Sequence, residues 1–146
     1  MGEELDKNLS VKTMVVLRKA MRSIDSQVYS EFKDYGITPT QFGVLDVLYT
    51  KGEMKICRLI DSMLATSGNM TVVIKNMERH GWIYRQVSPD DRRASVVGLT
   101  ETGRDLIEAI LPQHIASVNQ VFAHLTDEEK SSLITILKKF KKSEAK

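Results

Sequence analysis

Across residues 9–35 the apolar positions Leu17, Met21, Ile24, Val28, Phe32 and Tyr35 recur at steps of three and four. That spacing places them on one stripe of a helix, and Gly36 supplies its stop. The earlier residues Val11, Met14, Val15, Val16 and Leu17 are apolar over more than one face, as in a helix end packed against two things. Thr38-Pro39-Thr40-Gln41 predicts a second helix start. Thr38 caps, Pro39 suits the first helical position and Gln41 completes a capping box. This helix carries Phe42, Leu45 and Leu48 inward and ends near Gly52, and a short helix follows with Ile56, Leu59, Ile60 and Met63 buried. Thr66 opens the next helix, whose inward set is Met70, Val73, Ile74 and Met77. Gly81 ends it. Its other face carries Gly68, Asn69, Thr71, Val72, Lys75, Asn76 and Arg79, with small and polar groups towards the N-terminal end.

The period then changes from helical to alternating. Residues 82–87 (WIYRQV) are rich in strand formers. Ser88-Pro89-Asp90-Asp91 is a turn cluster, and residues 94–99 are a second strand, so the pair reads as one hairpin with Arg92 and Arg93 at its tip. Thr100 caps a long section in which Leu106, Ile107, Ile110, Leu111, Ile115, Val118, Val121 and Phe122 keep helical spacing. Pro112 is expected to kink or break it. Thr126-Asp127-Glu128-Glu129 is another capping box, followed by Leu133, Ile136, Leu137, Phe140 and a basic tail. No internal repeat or long linker divides the chain, which reads as a single domain over 1–146.

Composition narrows the function classes. The net charge is only +2, so any basic face must come from arrangement. Cys57 is the one cysteine and excludes an internal disulfide or a cysteine-rich zinc site. No apolar run approaches the roughly 20 residues that span a bilayer. The acidic, polar start MGEELDKN resembles no secretory signal, and Asp6 breaks the myristoylation pattern. The expectation is a soluble cytoplasmic protein without a membrane partner. An enzyme would need a paired acid and base, an activated nucleophile or a phosphate-cradling loop. None appears, and no cofactor is expected. His80, His114 and His124 lack the i, i+4 spacing of a metal pair.

The order of four helices, a hairpin and two helices, with the stretches ITPTQFGVLDVLYTKG and LATSGNMTVVIKNMERHGWIYRQVSPDDRRASVVGLTETGRDL, resembles the MarR family of winged helix-turn-helix transcription regulators. The core of the resemblance runs over 37–106, and the flanking helices fit the same layout. It implies a mainly α fold of six helices with a small antiparallel β-hairpin, a DNA-binding lobe over 37–100, and dimerisation helices over 8–35 and 101–142. It further implies an intertwined homodimer on a near-palindromic operator, usually repressing, and often released by a small-molecule effector or by oxidation. The apolar terminal helices agree with burial against a second copy, since isologous pairing is the commonest way to cover such a patch.

The resemblance places Ser67, Asn69, Thr71 and Lys75 in the major groove of double-stranded DNA, where short polar side chains reach base edges. Gly68, Val72 and Asn76 share that face. Val72 suits a thymine methyl, and the N–H groups of the first turn suit a phosphate. Arg93 falls where the family's wing arginine sits, aimed at the minor groove. Arg92 and Arg85 are further DNA candidates, and Asp91 is a brace for Arg93 or Arg85, because a carboxylate facing phosphates is repelled. The family's ligand pocket maps to Met21, Ile24, Phe42, Leu45 and Ile110, which equally read as ordinary core and name no ligand. Cys57 reads as a small, partly buried structural thiol, with a thiol-based redox-responsive repressor as the alternative. A winged-helix module that binds protein rather than DNA is the other alternative; the arginine-tipped wing speaks against it.

Overall fold

The computed structural model describes residues 7–63 and 67–141, without the side chains at 67 and 68. Among the described residues there are six α-helices: α1 (Leu9–Val28), α2 (Pro39–Lys51), α3 (Ile56–Ser62), α4 (Ser67–Arg79), α5 (Glu101–Phe122) and α6 (Asp127–Lys138). A 3-10 turn, Phe32–Tyr35, precedes α2, and three short strands, β1 (Met54–Lys55), β2 (Ile83–Val87) and β3 (Ser95–Leu99), form one sheet. The chain divides into two compact units, 29–114 and a second made of the segments before 29 and after 114. No helix among the described residues is long and apolar enough to cross a membrane.

The unit 29–114 closes a continuous core. Val44, Leu45, Leu59, Met70, Met77, Val97 and Ile107 are fully buried, with Phe42, Leu48, Ile74, Ile83 and Ile110 almost so. The inward faces expected for α2, α3 and α4 therefore meet one another and β3. Local chemistry starts and stops these elements. Thr38 Oγ1 accepts from Gln41 N–H at 3.1 Å while Gln41 Oε1 accepts from Thr38 N–H at 3.0 Å. Both donors would otherwise be orphaned at a helix start. At the end of α4, Gly81 N–H donates to the Glu78 carbonyl and Trp82 N–H to the Met77 carbonyl. Gly81 sits at φ +78°, a left-handed conformation that glycine adopts without steric cost.

Four sequence expectations change. The first helix ends at Val28, not Tyr35; the chain turns, and Phe32 enters the core from the 3-10 turn that Gly36 closes. The hairpin is part of a three-stranded sheet of order β1-β3-β2, with Met54 opposite Val97 and Lys55 opposite Val96. Helix α5 continues through Pro112, so of the kink or break expected there the break does not occur. Cys57 is exposed rather than partly buried, because Leu59 takes the inward position of α3. Thr66, expected to open α4, lies outside the described residues.

Tyr29, Phe32, Phe42 and His114 also form a ring cluster. The Phe42 and His114 centroids are 4.6 Å apart, Phe32 and Phe42 4.9 Å, and Tyr29 and Phe32 5.0 Å. Tilted rings at these separations pair positive edges with negative faces.

In the second unit, α6 is capped as its sequence predicts. Thr126 Oγ1 accepts from Glu129 N–H, and Glu129 Oε1 accepts from Thr126 N–H. Its apolar residues Ile134, Ile136 and Leu137 are exposed, as are Leu9, Met14, Val15, Val16, Leu17 and Met21 on α1.

Candidate nucleic-acid interface

Helix α4 buries Met70, Ile74 and Met77 and leaves Asn69, Thr71, Val72, Lys75 and Arg79 exposed. Asn76 is half-buried at the border. Burying one stripe of a 3.6-residue helix against the core forces the opposite stripe to solvent. Ser67 and Gly68 begin the helix, but their side chains lie outside the described residues. The exposed face is short-chained at its N-terminal end and cationic at its C-terminal end. Val72 is 57% exposed, an apolar residue in a polar face.

The hairpin follows directly. β2 and β3 pair from Ile83 opposite Leu99 to Val87 opposite Ser95. Beyond that register the tip closes itself. Ser88 N–H donates to the Ala94 carbonyl at 2.9 Å, and Ala94 N–H donates to the Asp91 carbonyl at 3.0 Å. Ser88 is buried, and its Oγ accepts from Asp90 N–H at 3.4 Å. Asp91 Oδ1 accepts from Arg93 N–H at 3.0 Å. Asp91 thus holds the backbone of Arg93 rather than its guanidinium, as aspartates do in turns. Arg92 and Arg93 are exposed. Among the described residues, neither guanidinium has an ion-pair partner.

Arg85 is held from elsewhere. Its Nε donates to Glu78 Oε1 at 2.9 Å, joining β2 to the last turn of α4. Asp91, the brace expected for Arg93 or Arg85, makes no ion pair with either among the described residues. Glu78 was invisible as a partner in the sequence, where it is one more charge near a helix end. The base of the wing is tied twice more. Tyr84, opposite Gly98, donates its hydroxyl to Glu53. That bond to a carboxylate, then burial, pushes the Tyr84 phenol above its usual 10.0 and keeps it a donor. Thr100 Oγ1 donates to the Gly81 carbonyl at 2.5 Å and accepts from Gly103 N–H at 3.0 Å, while Thr100 N–H donates to the Trp82 carbonyl. A Cβ on Gly103 would collide with that Trp82 carbonyl, so glycine lets α5 approach the wing. The wing is a strut with fixed ends, not a loose loop.

Phe42, Leu45 and Ile110, named above as pocket candidates, are packed into the core of 29–114. Met21 is exposed on α1 and Ile24 is half-buried there. The ring cluster around Phe42 is a feature the sequence did not single out.

Comparison with known proteins places this arrangement. Residues 37–95, which hold α2, α4, β2 and the wing tip, match the MarR family. The chain is similar to the HTH-type transcriptional regulator MhqR of Bacillus subtilis, with 34% identity over 89% of this chain and 90% of the relative. It is also similar to the HTH-type transcriptional regulator YkoM of the same organism, at 35% identity over 85% of this chain and 80% of the relative. The fold matches that of a MarR mutant from E. coli solved in complex with operator DNA, at TM-score 0.81 and 22% identity, covering 91% of this chain and 98% of that one.

Proposed function

The chain belongs to the MarR family of DNA-binding transcription regulators, and on that premise we propose that it is a repressor acting as a homodimer on a near-palindromic operator. The observation that carries this reading is the self-closed wing tip. Its turn is tied by Ser88, Asp91 and Ala94 while Arg92 and Arg93 remain exposed. A minor groove concentrates negative potential and attracts such an arginine. The outward face of α4, with Asn69, Thr71 and Val72 exposed, suits base edges in the adjacent major groove, and the exposed Lys75 reaches a guanine or a phosphate from the same face. Ser67, Gly68 and Asn76 are further proposed contacts from the same helix, and Arg85 and Arg92 serve backbone phosphates, which set affinity rather than sequence.

Dimer formation is supported by the exposed apolar residues of α1 and α6, which water does not stabilise. Release by a small organic effector, and residence in the cytoplasm where the operator is, complete the proposal. The relative solved with operator DNA supports the DNA partner.

The test is a titration of the dimer against the DNA upstream of its own gene. Tight binding to an inverted repeat with half-sites about one helical turn apart supports the reading. Binding no better than to random duplex overturns it.

A further inference from the structure

Between α4 and β2 lies a shallow open cleft lined by Lys75, Glu78, Arg79 and Arg85. Three cations surround one carboxylate there. Resting on the DNA-binding reading above, we propose that Glu78 is a positioning residue that holds Arg85 against α4, so that Lys75, Arg79 and Arg85 form a preset clamp for the DNA backbone.

The placement follows from duplex geometry. A helix in the major groove and a wing in the neighbouring minor groove straddle the sugar-phosphate strand between them. The surface joining helix to wing faces that strand, and here that surface is this cleft. The chemistry fits phosphate. Lys75 and Arg79 are one helical turn apart and both exposed. Arg85 meets Glu78 through Nε at 2.9 Å. Nε is the inner nitrogen of the guanidinium, and the outer amino groups are the ones that grip two phosphate oxygens side by side. A free arginine loses rotamer freedom on binding; one already held loses less. A lone carboxylate beside DNA would only repel. Paired with Arg85, and with both side chains about one-third exposed (34% and 32%), it directs a cation instead.

The two roles of Glu78 predict opposite signs. A duplex selected by this protein from a random-sequence pool, and a random duplex of equal length, are titrated against the wild type, Glu78→Ala, Glu78→Gln, Arg79→Ala, Arg85→Ala and the double variant Glu78→Ala/Arg85→Ala. Circular dichroism confirms folding of each. As a positioning residue, Glu78→Ala weakens the selected duplex by roughly fivefold, the upper range for a partly exposed ion pair, although it removes a negative charge. Glu78→Gln, which keeps an acceptor, falls between it and the wild type. The double variant is no weaker than Arg85→Ala. Arg79→Ala lowers the slope of log affinity against log salt by about 0.9, one phosphate contact. If Glu78→Ala or Glu78→Gln instead tightens both duplexes, Glu78 merely repels and the inference is overturned while DNA binding stands. An unchanged salt slope in Arg79→Ala removes that residue from the clamp and overturns the clamp as drawn. If the wild type selects no duplex, the underlying reading fails and this one with it.

Discussion

The two units of this chain treat their apolar residues differently. In 29–114, helices α2, α3 and α4 and strand β3 bury theirs against one another, and the core includes Leu45, Leu59, Met70 and Val97 with no measurable exposure. In the terminal segments, Leu9 is 77% exposed, and among the described residues α6 buries none of its side chains. One unit therefore carries its own folding free energy. The other presents apolar surface whose removal from water would contribute about 25 cal/mol per Å². On the proposed reading the first needs rigidity, because a helix and a wing must keep their spacing to meet two grooves at once. The second offers what self-association requires.

Substitutions can break or sharpen that contrast. The largest effect is expected inside 29–114, where Ile107 is fully buried. Ile107→Ala should lower unfolding free energy by about 2–5 kcal/mol, measured by urea denaturation; a loss under 1 kcal/mol would show a core less closed than described. Next is Leu137→Glu on α6, half-exposed in the chain. It should leave 29–114 folded but weaken self-association by about two orders of magnitude, since an isologous interface meets the charge twice. Sedimentation showing an unaltered dimer would remove α6 from the interface.

The wing comes third. Arg93→Ala should cost operator affinity about 1–3 kcal/mol with thermal stability unchanged, because its side chain has no described ion-pair partner; equal affinity sinks the wing assignment. Thr38→Ala deletes one half of the α2 capping box and should cost about 1 kcal/mol, read from the shift in Tm. The smallest effect is alkaline. Tyr84 titrates above 10.0 in the folded chain because its hydroxyl bonds Glu53. Its contribution is therefore complete below pH 10 and fades as pH rises through the folded value. Tyr84→Phe should remove that contribution below pH 10 and so make the alkaline fall of stability shallower, measured by urea denaturation at pH 7 and above pH 10.

Much of the chain was legible because its signals are local. Thr38 with Gln41, Thr126 with Glu129, and Gly81 each act within a few residues, and the inward set Met70, Ile74 and Met77 is a pure spacing. The exposed face of α4 followed by elimination. What stayed hidden depends on residues distant in sequence. A two-residue strand such as β1 shows no period, and pairs only because Val96 and Val97 are already in place. The unbroken course of α5 through Pro112, the exposure of Cys57 and the end of α1 at Val28 were equally beyond a spacing rule. Glu78 and Arg85 meet because a helix end and a strand are folded together.

The sequence by itself determined where α2 and α6 begin and where α4 ends, which stripes are apolar, and that an arginine pair tips a turn, since capping, periodicity and turn chemistry operate over one or two turns of chain. Tertiary structure alone decided that Glu78 rather than Asp91 engages Arg85, and that Tyr29, Phe32, Phe42 and His114 share one cluster. A side-chain contact between separate elements depends on the angle and depth at which they dock, and those are set by the whole core at once.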